Sequence, residues 1–431
     1  MPIKKAAVIG GSMAGLFAAN LLHRSGWQVE IFERSKSALS GRGAGIVTHD
    51  GLLYALSACG APHDGQLGVE IHKRLAISKE GEKLAYCDFQ QVLTSWSRLL
   101  DYLKSAFPDG NYHLNQEVIS LEAGDCHKPA RVHFASGHSI TADLVVAADG
   151  LKSNCRRFLD VNFEQVYAGY VAWRAVCDLS LLSASSQALM ADTFLFSQLP
   201  GEQILAYPIA GPDDAHQVLV NLVWYRRKDE DGLKELLTDG IGIHHPEGIP
   251  PQKIQAHHIS KMQSDSQELF HSSWSEHLRK SDSIILQPIF DSEIQSMCKG
   301  RVAFLGDSAF VARPHVGQGV TKAAGDALCL DRYLRSTPSE EIPIELMRFS
   351  QTRLEVGKMA VEHARQMGAP VVVSPDLNNG AHWERYYSDP AHLIRDTAVE
   401  LEGVVTKDRP LFSSSRVQSS IHMSCTPHLE Q

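Results

Sequence analysis

Four apolar residues, Ala6-Ala7-Val8-Ile9, run straight into Gly10-Gly11-Ser12-Met13-Ala14-Gly15, after which Leu16 to Ser25 carry helical spacing stopped by Gly26. A second strand-like run, Gln28 to Phe32, follows at once. Strand, turn, helix and strand in so short a span make a parallel βαβ unit, whose crossover is right-handed and whose strands are buried on both faces. The chain is therefore expected to be α/β, with helices on either side of a parallel sheet.

The turn fits G-x-G-x-x-G except that Ser12 stands at the second glycine. Gly10 permits the tight turn, Gly15 lets helix and strand approach, and Ser12 adds only a small side chain. The helix N-terminus then offers free N–H groups and a positive dipole end to a diphosphate. Glu33 closes the second strand, where an acidic side chain about 20 residues past the glycines accepts ribose hydroxyls.

Further along, the runs at Arg74-Leu75-Ala76-Ile77, Glu117 to Leu121, Arg131 to Phe134, Leu144 to Ala148, Gln203 to Pro208, Gln217 to Tyr225 and Arg301 to Leu305 read as strands. Helical spacing marks Gly51 to Cys59, Trp96 to Phe107, Asp231 to Leu237, Gln267 to Leu278, Ile344 to Gln366 and Glu384 to Thr397. Ser413 to Gln431, rich in Ser and His, is expected to fray. The texture from Gln165 to Leu286, a larger mixed sheet, differs from that of the first third.

Hydrophobic residues at 43% and charged residues at 21% describe an ordinary folded protein. A net charge of −9 with no long basic run argues against nucleic acid or an anionic membrane as partner. Eight cysteines without a C-x-x-C pair signal neither a disulfide framework nor a zinc site, and no metal is expected; Cys126-His127 reads as loop between Gly124 and Pro129. Glycines and Ser12 interrupt Ala6 to Leu22, so it reads as strand, turn and helix rather than as a signal peptide, and no run reaches the roughly 20 apolar residues of a membrane span. A cytoplasmic location is the resulting expectation.

Two distant segments carry the functional reading. They are Asp143-Leu-Val-Val-Ala-Ala-Asp149-Gly150-Leu-Lys-Ser153-Asn-Cys-Arg156 and Arg301-Val-Ala-Phe-Leu-Gly306-Asp307-Ser-Ala-Phe. With the N-terminal turn they resemble, in order, the three flavin motifs of the para-hydroxybenzoate hydroxylase-like (group A) FAD-dependent aromatic monooxygenases. The resemblance implies a Rossmann-like FAD-binding domain interleaved with a mixed-sheet substrate domain and followed by a C-terminal helical region. The implied division is FAD-binding parts at 1–72, 96–164 and 290–340, substrate parts at 73–95 and 165–289, helices at 341–405 and a tail at 406–431.

By the same resemblance FAD would be held by Gly10, Ser12, Ala14, Gly15, Glu33 and Arg34, then by Arg42, Gly45, Arg98 and Val118. Asp149, Gly150 and Arg156 would shape the place where FAD meets NADH or NADPH. Gly306 and Asp307 would form the third contact, with Asp307 on ribityl or ribose hydroxyls and Arg98 on a phosphate. These residue types suit those partners, since Arg forks onto phosphate oxygens and carboxylates pair with diols. Pro314, Gly317 and Gly319 open a helix whose N–H groups and dipole would face the flavin pyrimidine and stabilise the charge gathered there on reduction.

A narrower likeness, in Arg42-Gly43-Ala44-Gly45-Ile46, Tyr167-Ala-Gly-Tyr170-Val-Ala-Trp173-Arg174, Trp224-Tyr225-Arg226 and Ala312-Arg313-Pro314-His315-Val316-Gly317, is to the 2,6-dihydroxypyridine 3-monooxygenase branch. The chain departs from it at Ser12, at Gln318 and from Asp229 to Gln267. This implies that NADH or NADPH reduces FAD, that O2 adds as a C4a-hydroperoxide, and that its terminal oxygen passes to a hydroxylated N-heteroaromatic ring. No second dinucleotide fingerprint is present, so the nicotinamide cofactor would dock transiently.

For proton transfer the candidates are His49, Tyr225 and His315, next to the flavin motifs or in the substrate sheet; packed histidines are the competing reading. Tyr170, Trp173, Tyr207 and Trp224 are candidate walls of the ring site, with core packing the competing reading for the tryptophans. The partners expected are a small aromatic substrate and O2, with a homodimer left open. A phenol or salicylate hydroxylase of the same family and a redox-inert flavin scaffold remain alternatives. A flavin halogenase is disfavoured, because Trp-x-Trp-x-Ile-Pro is absent and residues 41–53 hold no lysine.

Overall fold

The strand Lys5–Ile9 lies at the centre of a sheet ordered Cys298–Lys299, Val302–Phe304, Leu144–Ala147, Lys5–Ile9, Gln28–Phe32, Tyr112–His113. All neighbours are parallel except the first pair. The computed structural model describes residues 3–37, 39, 45–61, 67–212, 214, 216–246 and 248–405; Arg42 and the tail 406–431 lie outside the described residues. Val8, Ile31, Val145, Val146 and Phe304 are fully or almost fully buried, as parallel strands covered on both faces require. The helix Met13–Arg24 packs on this sheet, and Gly319–Leu334 packs against that helix.

Strand order reverses at Lys5–Ile9: the chain moves next to Gln28–Phe32 on one side and only later to Leu144–Ala147 on the other. Such a switch point opens a crevice beyond the carboxyl ends of the strands, where ligands of α/β sheets bind. Here it is lined by Gly10 on one side and Ala148 to Gly150 on the other.

The second sheet runs Ser283–Ile294, Phe163–Asp178, Val218–Arg227, Glu202–Ala210, Thr193–Leu199, Val69–Ile77, Lys83–Ser95, Gly45–Val47, antiparallel except between Thr193–Leu199 and Val69–Ile77. Away from its β-bulges, successive side chains alternate between the two faces. Trp173, Leu195, Ile204 and Trp224 enter one core with Phe270 and Trp274, while Tyr170, Phe194, Tyr207 and Tyr225 enter another on the opposite face. A third, three-stranded sheet is formed by Val118–Glu122, Ala130–Phe134 and Ser139–Ala142.

Two helical expectations change. Gln267 to Leu278 is split between Ala256–Leu269 and Ser272–Lys280, because Phe270 leaves the helix to bury itself edge-on against Trp224, with ring centroids 5.4 Å apart. Glu384 to Thr397 is two helices, Gly380–Ser388 and Pro390–Asp396. Pro390 disfavours a helical Asp389, which instead accepts from the Ala391 N–H as the cap of the second.

Candidate active site

The glycines of the first turn are there because backbone comes too close for anything else. Gly10 has φ +102°, and a Cβ on it would stand 2.4 Å from the Ala148 carbonyl oxygen. A Cβ on Gly15 would stand 1.9 Å from the Gly10 carbonyl oxygen, so strand and helix could not meet at this distance. Ser12 caps Met13–Arg24 without a side-chain hydrogen bond, leaving first-turn N–H groups open toward the crevice. Glu33, buried, accepts from Gly11 N and Ser35 N, each at 2.9 Å, and so lies beside the turn. A cavity of about 220 Å³ follows, lined also by Ala148, Asp149, Gly150, Arg34 and Val118. Asp149 accepts from Cys155 N at 3.1 Å through one oxygen, and its other oxygen has no protein partner.

Through Ser12, Trp96, Ala148 and Gly150 this cavity adjoins a larger one of about 390 Å³, which also contains Ala14, Gly45, Gly306, Asp307 and residues Val311 to Val320 except Val316. Asp307 opens into it. Desolvation by the surrounding chain raises the Asp307 carboxyl above the ordinary aspartate range, against the pull of Lys322. Behind this turn sits a buried ion cluster. Asp326 accepts from Gly306 N at 3.0 Å, Arg353 Nε at 2.8 Å and Lys322 Nζ at 3.3 Å, and Lys322 also donates to the Gly306 carbonyl at 3.1 Å. Arg156 does not line either cavity: it donates to the carbonyls of Ser308 (2.6 Å) and Leu151, tying the second flavin motif to the third, and burial lowers its pKa to about 10.

Pro314–Val316 forms one 3-10 turn, Gly317 turns left-handed at φ +62°, and Gly319 opens the helix to Leu334. A Cβ on Gly317 would meet Ala398 at 2.6 Å, whereas Gly319 faces open space. Gln318 caps that helix with no side-chain bond to it, and its Oε1 is unpartnered. The donor set fits a flavin dinucleotide: a glycine cradle with open helix N–H groups for diphosphate, carboxylates Glu33, Asp149 and Asp307 for sugar hydroxyls, and a second open helix start for the ring.

The family described as FAD binding domain-like matches residues 167–291. The 2,6-dihydroxypyridine 3-monooxygenase of Paenarthrobacter nicotinovorans is 28% identical over 401 residues, covering 93% of this chain and 98% of its own. The 6-hydroxynicotinate 3-monooxygenase of Bordetella bronchiseptica is 23% identical, covering 81% and 87%. The structure of 2,6-dihydroxypyridine-3-hydroxylase from Arthrobacter nicotinovorans superimposes with a TM-score of 0.80 at 27% identity, over 88% of this chain and 96% of that one. The chain is an FAD-dependent monooxygenase, similar along nearly its whole length to these pyridine-ring enzymes.

In this monooxygenase the far wall of the larger cavity is the tyrosine face of the second sheet. Tyr207 and Tyr225 line it with Arg174, Phe194, Leu205 and Val223. His315 lines it on the side of the Gly319 helix start, 4.2 Å from Tyr225 between ring centroids. Its Nε2 is 2.8 Å from the hydroxyl of Tyr170, which lies behind it, and its Nδ1 has no protein partner. Burial, reinforced by Arg313, lowers the His315 pKa to about 3. Burial raises the Tyr207 hydroxyl to about 12 and Tyr225 further still, so both stay protonated.

His49 is not in the cavity lining. Its Nδ1 is 2.8 Å from Thr321 Oγ1 and its Nε2 is 3.1 Å from the Ala398 carbonyl, and Ala398 is itself a cavity wall. Trp173 and Trp224 are cross-strand partners one residue out of phase with the tyrosines, and project into the opposite core. The expectation that they wall the ring site is corrected by that parity. Arg98 is in the lining of neither cavity, and its Nη1 donates to the Gly211 carbonyl at 3.3 Å. Gly45 donates to Asn221 Oδ1 at 3.1 Å and leaves room for Tyr207, whose ring a Cβ would meet at 2.4 Å.

Three features escape sequence reasoning. One is the Asp326–Lys322–Arg353 cluster, whose i,i+4 spacing marks only the first pair. A second is the buried Asp291, which takes Arg313 Nε at 2.7 Å and Arg365 at 2.7 Å and so fixes the base of the His315 turn. The third is the segment Thr397 to Val404. Its carbonyls at Thr397, Ala398 and Val404 accept from Arg74, Gln91 and Arg353, binding both sheets' surroundings to the cavity floor. No spacing rule announces any of these carbonyl contacts.

Proposed function

We propose that this monooxygenase hydroxylates an electron-rich hydroxylated N-heteroaromatic ring, of the 2,6-dihydroxypyridine or hydroxynicotinate type, with NADH or NADPH as transient reductant and O2 as oxygen source. The observation carrying this reading is the cavity in which the open helix start at Gly319 faces a wall of Tyr207 and Tyr225, with His315 between. The likeness to pyridine-ring monooxygenases along nearly the whole chain supports it.

Bound FAD supplies the redox chemistry and the activation of O2. Glu33, Asp149 and Asp307 would hold its sugars, and the helix starts at Met13 and Gly319 would hold its diphosphate and face its ring. Phe194, Leu205, Val223 and Ile289 keep water from the reacting carbon. The Tyr225 and Tyr207 hydroxyls, still protonated, orient ring oxygens by donation. His315 is neutral at working pH, with one nitrogen on Tyr170 and the other ready to accept a hydrogen bond from a ring hydroxyl, which raises electron density on the carbon attacked. His49 is a positioning residue that fixes Ala398. A cytoplasmic homodimer belongs to the same proposal; among the described residues no helix is long and apolar enough to cross a membrane.

The test is oxidation of NADH and NADPH by the purified holoenzyme across hydroxypyridines, hydroxynicotinates, phenols and salicylates, with product masses recorded. Coupled oxidation and a gain of one oxygen with the nitrogen heterocycles is expected. Coupling confined to phenols or salicylates would contradict the substrate class.

A further inference from the structure

The substrate end of the larger cavity carries one cation without a carboxylate partner among the described residues. Arg174 stands on the tyrosine face of its strand, beside Val223, and lines the cavity. Its Nη1 donates to Gln287 Oε1 at 2.9 Å, and its Nε, buried, has no acceptor. The other arginine of the lining, Arg313, is neutralised by Asp291. His315 is neutral, and Asp307 belongs to the third flavin motif. The positive charge of Arg174 bears on both the Tyr207 and Tyr225 hydroxyls, which places the guanidinium at the same end as the two tyrosines.

An arginine is never deprotonated at working pH, and a buried guanidinium N–H without an acceptor is costly. A fixed cation, an orphaned N–H, an amide on the neighbouring nitrogen and two donating hydroxyls make a receptor for an anionic oxygen. On the cavity face of the edge strand, Gln287 and Ile285 are solvent-exposed while Ile289 is buried, so the cavity opens toward solvent along this strand. Arg174 pairs with Ile285 across the strands and so stands on the path of entry.

We propose that Arg174 is the anion-binding residue of the substrate site, so that the aromatic ring is taken up with a carboxylate or an ionised ring hydroxyl paired to its guanidinium. This rests on the reading of the cavity as a hydroxylase substrate site. It adds the charge state in which the ring is selected. An ionised ring oxygen held there keeps the ring electron-rich without a strong protein base, in keeping with a histidine that burial leaves weakly basic.

The experiment is titration of wild-type, Arg174→Gln and Arg174→Lys holoenzymes with three rings, read by the flavin difference spectrum and by calorimetry. The rings are 6-methoxynicotinate (a carboxylate with the ring hydroxyl blocked), 2,6-dihydroxypyridine (ring hydroxyls only) and 6-methoxynicotinamide (neutral). Removing one charge-assisted pair should weaken the anionic ligand roughly 10- to 100-fold in Arg174→Gln, with part recovered in Arg174→Lys and under twofold change for the neutral ring. A loss confined to 6-methoxynicotinate assigns the carboxylate. A loss confined to 2,6-dihydroxypyridine, growing as pH rises through its ionisation, assigns the ring oxygen. Equal losses for charged and neutral rings, or an effect only on the KM for NADH or NADPH, overturn the proposal while leaving the substrate class standing. Failure of wild-type enzyme to bind any of the three overturns both.

Discussion

The Tyr170 hydroxyl and His315 Nε2 are 2.8 Å apart with both side chains withdrawn from solvent, so the histidine nearest the flavin motifs is held as a neutral hydrogen-bonded ring. Burial lowers His315 to about 3, and lowers His49 and His277 to about 4. The unfolded chain binds these protons near pH 6.5, the folded protein only far below. Stability from each neutral ring is therefore complete above pH 6.5 and lost as pH falls toward the folded values, at about 1.4 kcal/mol per pH unit per ring. Urea unfolding of His315→Asn should show a smaller loss between pH 6.5 and 5 than wild type, by roughly 1.5 kcal/mol. An unchanged difference would place a charged His315 in the folded enzyme.

Parity on the second sheet separates two adjacent aromatics. Tyr225→Phe should lower turnover or raise the KM for the aromatic with little change in Tm, because only a cavity-facing hydroxyl is removed. Trp224→Phe should lower Tm while leaving ligand affinity within about twofold, since it opens a void in the far core and strips the 2.7 Å indole bond to Glu202. Thermal melts and steady-state kinetics on the same preparations decide; the reverse pattern would place the ring site on the other face.

Arg353 is fully buried on Asp326, which in turn holds the Gly306 N–H. Arg353→Ala leaves a buried carboxylate with Lys322 alone, and a loss of about 3–5 kcal/mol is expected. Chemical denaturation would show it, and FAD retention on dilution should fall in parallel because the Asp307 turn loses its anchor. A stable variant with unaltered FAD affinity would mean that the cluster does not support the turn.

Gly10→Ala tests the cradle. With φ +102° and the Ala148 carbonyl 2.4 Å from the added carbon, the backbone must move where diphosphate is to be held. The flavin-to-protein ratio after gel filtration should drop, with FAD affinity reduced at least about 10-fold. Retention of full FAD would contradict that placement.

Much of the parallel sheet was legible because its signals are local: an apolar strand, a glycine turn, a helix and Glu33 within a few dozen residues. Gly10, Glu33, Asp149, Gly150, Gly306 and Asp307, which line the two adjoining cavities, lie in three such segments. What sequence order hides is which face a strand presents. Trp173 and Trp224 lie in the same motifs as Tyr170 and Tyr225, and one residue of phase sends them to the opposite core. The helix expected from Glu384 to Thr397 ignored Pro390, and the one from Gln267 to Leu278 could not foresee Phe270 packing on Trp224. The floor made by Thr397 and Ala398 is built from backbone carbonyls, which leave no trace in side-chain pattern.

On the proposed function, the FAD-binding cleft delivers one oxygen atom of O2 to an aromatic ring. The decisive measurement is turnover of 2,6-dihydroxypyridine by the purified yellow holoenzyme under 18O2, with NADH or NADPH. A product heavier by one 18O atom, formed in step with nicotinamide oxidation, is expected. Incorporation of oxygen from water, or nicotinamide oxidation yielding only peroxide with every ring tried, would contradict it.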